Sequence, residues 1–157
     1  MELVTVTVTQ TADNVARWFL QTNKLDRADN IDVEGISNLK LQKLLYYAYG
    51  GYLALYNQHL FNEPIVAWQH GPVVENVYRQ YRAYGSHSID KFDAPETTFT
   101  QEEVGVLKWV YEEFGQYTAW ALRNKTHEEE PWRTTAPNQQ IQDDVIMSYF
   151  KDHYVEA

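Results

Sequence analysis

Apolar residues recur at helical spacing along most of this chain and at strand spacing only in short stretches. The first ten residues are one such stretch. Leu3-Val4-Thr5-Val6-Thr7-Val8-Thr9 alternates apolar and hydroxyl side chains with period two. Val and Thr favour strands, so the pattern predicts a short edge strand or an arm that pairs with another chain; a tail of strand-like composition is the alternative. A helix is predicted from Thr11 or Ala12 to Thr22, with Ala12, Val15, Ala16 and Phe19 on one face and Thr11 or Asp13 as its cap. The polar stretch 23–35 reads as a loop.

The longest periodic segment runs from Asn38 to Asn57. Leu41, Leu44, Leu45, Ala48, Tyr52, Leu55 and Tyr56 form its apolar stripe, widened by Tyr46, Tyr49 and Leu53. A helix apolar over more than half its circumference is the buried hub of a domain. Gly50 and Gly51 cost helix stability, and the pattern predicts that they let another segment come close. Ile65 to Trp68 reads as a short strand. Gly71-Pro72 then starts a helix to Tyr84, with Pro72 at its first position and Gly85 at its end. Ser88 to Phe92 is a candidate second strand.

Thr100 with Glu103 forms a capping box for a helix to Phe114 that turns Val104, Leu107, Tyr111 and Phe114 inward. Further helices are predicted over 117–125, as a single turn at Pro131-Trp132, and from Asp143 onward with Val145, Ile146, Tyr149 and Phe150 inward. The fold class is therefore mainly α (α+β): one helical domain of about six helices around a buried central helix, with a small short-stranded β element. Residues 1–10 are assigned to the arm and 11–157 to the domain.

Length and composition support this picture: 157 residues suit one domain, and 44% hydrophobic content supplies a core. No apolar run approaches the ~20 residues that span a bilayer. No secretory pattern opens the chain, so a cytoplasmic location without membrane insertion is expected. The chain has no cysteine, which excludes disulfides, thiol catalysis and Cys-based zinc sites. Its formal charge of −9 repels a phosphate backbone, so nucleic acid is not expected as the primary partner. A protein with a basic face suits it better.

Motifs for chemistry are absent. There is neither G-x-G-x-x-G nor a P-loop nor G-x-S-x-G, and Ser37, Ser86 and Ser88 lie where serines cap helices or turns. The histidines, His59, His70, His87, His127 and His153, have no i, i+4 metal spacing. The run His127-Glu128-Glu129-Glu130 reads as a solvated turn. No catalytic residue, cofactor or metal ligand is assigned.

Two stretches stand apart. On the central helix Lys40, Lys43 and Tyr47 stand one above another on the arc left by the apolar stripe. That strip either faces a partner or is a solvated face whose lysine stems cover apolar neighbours. In Ala67-Trp68-Gln69-His70-Gly71-Pro72-Val73-Val74 an indole and an imidazole flank a rigid turn. Such aromatic anchors suit an interface; alternatively Trp68 is core and His70 ties down the turn.

The segments Leu39-Lys40-Leu41-Gln42-Lys43-Leu44-Leu45-Tyr46-Tyr47-Ala48 and Ala67-Trp68-Gln69-His70-Gly71-Pro72-Val73-Val74-Glu75-Asn76-Val77-Tyr78 resemble the two signature blocks of the Panacea domain, the SocA-like or phage-associated antitoxin domain. Weaker matches extend the resemblance over about residues 11–151: Asn14 to Phe19, Tyr84-Gly85, Leu122, Thr126-His127, Pro131-Trp132 and Ile146 with Tyr149-Phe150. The first ten residues lie outside the pattern.

The resemblance implies an antitoxin that neutralises a cognate protein toxin, encoded by the adjacent gene, by direct binding, with no catalysis or cofactor. An adaptor that delivers a bound partner to a protease is the alternative. A third reading, an enzyme using His70 or His127 as acid–base, stands last. Association with a second copy is left open. By position, the motif residues are Leu41, Lys43, Leu44, Tyr46, Tyr47, Trp68, His70, Gly71, Pro72, Val73, Tyr78, His127 and Trp132. Partner contact is expected at Lys40, Lys43, Tyr47, His70 and Arg79, and a structural role at the remaining motif residues.

Overall fold

The computed structural model describes residues 9–155. The arm expected over residues 1–10 therefore lies, apart from Thr9 and Gln10, outside the described residues. Seven α-helices lie among them: α1 Ala12–Asp29, α2 Asn38–Tyr56, α3 Glu75–Gln80, α4 Gln101–Phe114, α5 Ala119–Glu128, α6 Glu130–Arg133 and α7 Asp143–His153. Two strands, β1 Val66–Trp68 and β2 Gly71–Val73, form an antiparallel hairpin with Val66 opposite Val73 and Trp68 opposite Gly71. The fold is mainly α with a small β element, as the pattern predicts.

Helix starts follow local capping chemistry. Thr11, Ser37, Thr100 and Thr118 each accept a hydrogen bond from a backbone N–H three residues on. At α4 the Glu103 carboxylate also accepts from the Thr100 N–H at 2.8 Å, which completes the capping box.

α1 outruns its predicted end by two turns. Its last turns lack an apolar stripe because polar side chains anchor them: Asn23 donates to the Glu34 carbonyl at 2.9 Å, and Asp26 accepts from the Tyr111 hydroxyl at 2.8 Å. A second correction concerns 71–84. Gly71-Pro72-Val73 is a strand and not the start of a helix; α3 begins at Glu75, stops at Gln80, and a 3-10 turn over Arg82–Tyr84 follows. Pro72 fits because it faces Ala67 across the hairpin with its carbonyl turned away from β1, so its missing N–H deprives the ladder of nothing. Of the candidate strand 88–92, only Ser88 pairs, in a single bridge to Ser37.

α2 is the hub. α4, α5, α7, α1 and β2 all pack on it, and the helix is buried from Lys40 to Ala54. Its glycines mark two close approaches. A β-carbon at position 50 would collide with the Phe150 ring, and one at position 51 would lie 3.0 Å from the Trp109 ring. The inward face of α4 is Glu103, Val106, Leu107, Val110 and Phe114, rotated from the predicted set, with Val104 and Tyr111 half-buried.

Candidate functional site

Three consecutive contacts from α2 hold the hairpin and α3. Asn38 Nδ2 donates to the Tyr78 carbonyl at 2.9 Å. Gln42 accepts from the Val74 N–H at 2.8 Å while its amide nitrogen donates to Asn38 Oδ1 at 3.1 Å. Lys43 Nζ donates to the Pro72 carbonyl at 2.6 Å. Gly71 has φ +109°, and a β-carbon there would lie 2.8 Å from both Lys43 Cε and Thr126 Oγ1. Only glycine lets the strand pass this close to a lysine stem. The Lys43 side chain is wholly enclosed, and burial, with nearby Arg123 acting in the same sense, pulls its ammonium down to about 7.

A second buried polar group meets α2 one turn further along the same arc. Glu129, at the junction of α5 and α6, is 2% exposed. Its Oε1 accepts from the hydroxyls of Tyr46 (3.3 Å) and Tyr47 (3.2 Å), and its Oε2 from Tyr154 just beyond α7. Burial pushes this carboxyl above its ordinary range, against the downward pull of the hydroxyls and Lys125. The Tyr47 ring stacks on Phe114 at 3.9 Å, and Phe150 packs edge-on against Tyr46. Thus α2, α4, α5 and α7 meet around one carboxylate.

These contacts correct the expected partner-facing strip. Tyr47 and Lys43 are fully enclosed, and Lys40 is 6% exposed with Nζ on the Gly115 carbonyl at 2.6 Å. Burial lowers the Lys40 ammonium, against the pull of Glu34. The arc that reads as polar in sequence meets α4, α5 and the hairpin instead of water. Long amphipathic side chains are tolerated there because each polar tip has a hydrogen-bond partner. The acidic turn at 127–130 is corrected in the same way, since Glu129 is interior. Nothing in the sequence pattern distinguishes Glu129 from its exposed neighbours Glu128 and Glu130.

His70 and Arg79 are exposed. Arg79 pairs with Glu75 at 3.4 Å along α3. His70 occupies the hairpin turn, its ring 6.0 Å from that of Trp120 on α5. Beneath the turn, His127 stacks flat on Trp132 at 3.8 Å, Trp132 Nε1 donates to the Trp68 carbonyl at 2.7 Å, and Trp68 meets Tyr78 edge-on. Burial and Arg123 lower the His127 imidazole. Leu41 and Leu44 are fully buried, and Val73 is 3% exposed. A cavity of about 460 Å³ opens beside the turn, lined in part by Leu39, Trp68, His70, Val73, Tyr78 and Arg82. The sequence reading missed Trp120 and Arg123, which lie on an α5 face with no strong apolar stripe.

The geometry defines a hub-centred helical domain that braces a β-hairpin and presents its turn at the surface. Residues 41–133 match the family model described as Antitoxin SocA-like, Panacea domain, and the chain belongs to that family. It is similar to Antitoxin SocA of Caulobacter vibrioides (strain NA1000 / CB15N), with 46% identity over 65 residues. That stretch covers 41% of this chain and 34% of the relative. No solved structure matches the chain. No described helix is long and apolar enough to cross a membrane, and no group of three or more potential ligands for a metal ion occurs among the described residues.

Proposed function

We propose that this protein is an antitoxin that neutralises a cognate protein toxin by direct, stoichiometric binding, and that the toxin is the product of the adjacent gene. Family membership supports the antitoxin role. One observation carries the binding reading: Lys43 and Glu129, the groups best suited by environment to acid–base work, are sealed in the core and bonded to a backbone carbonyl and to tyrosine hydroxyls. They stiffen a scaffold. A rigid frame lowers the ordering cost of association, which suits a protein that works by holding another.

The experiment is co-expression of the neighbouring gene with and without this protein. Growth arrest relieved by the chain, together with a one-to-one complex on size-exclusion chromatography, is the expected result. Arrest of equal depth in both cultures overturns the proposal. Immunoblotting of the toxin in the same cells separates neutralisation from delivery to a protease: the level stays constant in the first case and falls in the second.

A further inference from the structure

We infer that the face formed by the hairpin turn and α5 is the toxin-binding surface, and that it grips a segment of the toxin in which a carboxylate adjoins a large apolar side chain. The inference rests on the antitoxin reading above and specifies where and how contact is made.

The chain carries a formal charge of −9, yet this face presents two arginines, Arg82 and Arg123. Arg82 lines the cavity on one side of the His70 turn, and Arg123 lies on the other. Each lacks an ion-pair partner among the described residues, as do Arg27 and Arg133, whereas Arg17 and Arg79 are paired with carboxylates. Arg123 reaches only the Asn124 side chain, at 2.9 Å, and its Nε is buried without a hydrogen-bond partner. A guanidinium offers five donors in a fixed fork that suits a carboxylate, so a lone amide oxygen leaves most of that capacity unused. Arg123 lies near both Lys43 and His127, whose charged forms are disfavoured first by burial and further by its guanidinium, so the positive charge of this face rests on Arg82 and Arg123 themselves.

Apolar anchors flank the cations. Trp120 is 56% exposed although tryptophan usually seeks burial, and Arg123 lies 4.5 Å over its ring. The cavity across the turn has walls of Trp68, Val73 and Tyr78. Trp, Tyr and Arg around a rigid centre is the composition of an interface hot spot. Positive charge here and negative charge over the rest of the chain also set orientation, since a toxin with a basic body and a local carboxylate is drawn to the surface and docks in one register.

The test uses the full chain and the product of the neighbouring gene as probe. Trp120→Ala and Arg123→Glu are each expected to weaken the complex at least about tenfold by calorimetry, a loss typical of hot-spot residues. Lys151→Gln, which removes an exposed cation from α7, is expected to bind as the parent does. Thermal unfolding of each variant within a few degrees of the parent excludes a folding artefact; if Arg123→Glu unfolds, Arg123→Gln replaces it. Selection of toxin variants that regain binding to Arg123→Glu is expected to recover Asp or Glu changed to Lys or Arg. If both variants bind and neutralise like the parent, this surface is wrong while the antitoxin role stands; if the parent itself fails to bind, both fall. Suppressors confined to toxin positions without a carboxylate overturn the charge pairing.

Discussion

Lys43 donates to the Pro72 carbonyl across 2.6 Å, and this bond joins the two sequence blocks that are most distinctive in the chain. Twenty-nine residues separate donor and acceptor. One residue earlier on α2, Gln42 holds the Val74 amide, two residues beyond Pro72, so the hub helix grips the hairpin and the start of α3 at two nearby points. The motif spacing is thus the imprint of a helix-to-hairpin clamp.

The buried Lys43 makes stability depend on pH. Its ammonium falls from 10.5 in the open chain to about 7 when folded, so between those values the unfolded state holds the extra proton and stability rises with pH. The trend reverses above pH 10, where the unfolded phenols ionise while Tyr81, Tyr111 and Tyr149, pushed to about 12, keep their protons. Urea midpoints are expected to climb from pH 7 to 9.5 and fall beyond 10. Lys43→Met is expected to flatten the climb and leave the alkaline fall in place. An unchanged slope in the variant would place the titration elsewhere.

Removing the Glu129 carboxylate strands three hydroxyls, two of them fully enclosed. Each buried group left without a partner costs about 1–3 kcal/mol, so Glu129→Ala is expected to lose several kcal/mol by chemical denaturation. Tyr47→Phe keeps the stack on Phe114 and loses one hydrogen bond, a change of about 1 kcal/mol. Similar losses from the two substitutions would contradict a shared carboxylate.

At Gly50 the added methyl of alanine runs into the Phe150 ring. Overpacking of this kind costs about 1–3 kcal/mol. Gly50→Ala is expected to be destabilising, and a second substitution, Phe150→Leu, to be less harmful in that background than in the parent. A double-mutant cycle reads the coupling directly. Additive effects would mean that α2 and α7 do not meet there.

Gln42→Leu deprives the Val74 amide of its acceptor. Faster hydrogen exchange is expected at Val74 and its hairpin neighbours, with α4 and α7 unaffected. Protection lost uniformly would instead report global destabilisation.

Much of the helical framework was legible. The α2 limits, the capping box at Thr100 and Glu103, the inward Ile146 and Phe150, and the need for space at Gly50 follow from local rules that act within a few residues. Others were hidden. The end of α1 is held by distant partners, Glu34 and Tyr111, which leave no periodic trace. The Pro72 segment reads as a helix start because its pairing with β1 is a tertiary event.

The sequence by itself determined a helical domain built on α2 and the family to which it belongs, because periodicity, capping and motif spacing are properties of short segments. Only the tertiary structure decided which side of α2 meets water. Lys40, Lys43 and Tyr47 share an arc by spacing alone, but whether that arc is surface or core depends on what packs against it. Here helices and a hairpin close over the arc, and hydrogen bonds to Gly115, Pro72 and Glu129 make the burial of its polar tips tolerable.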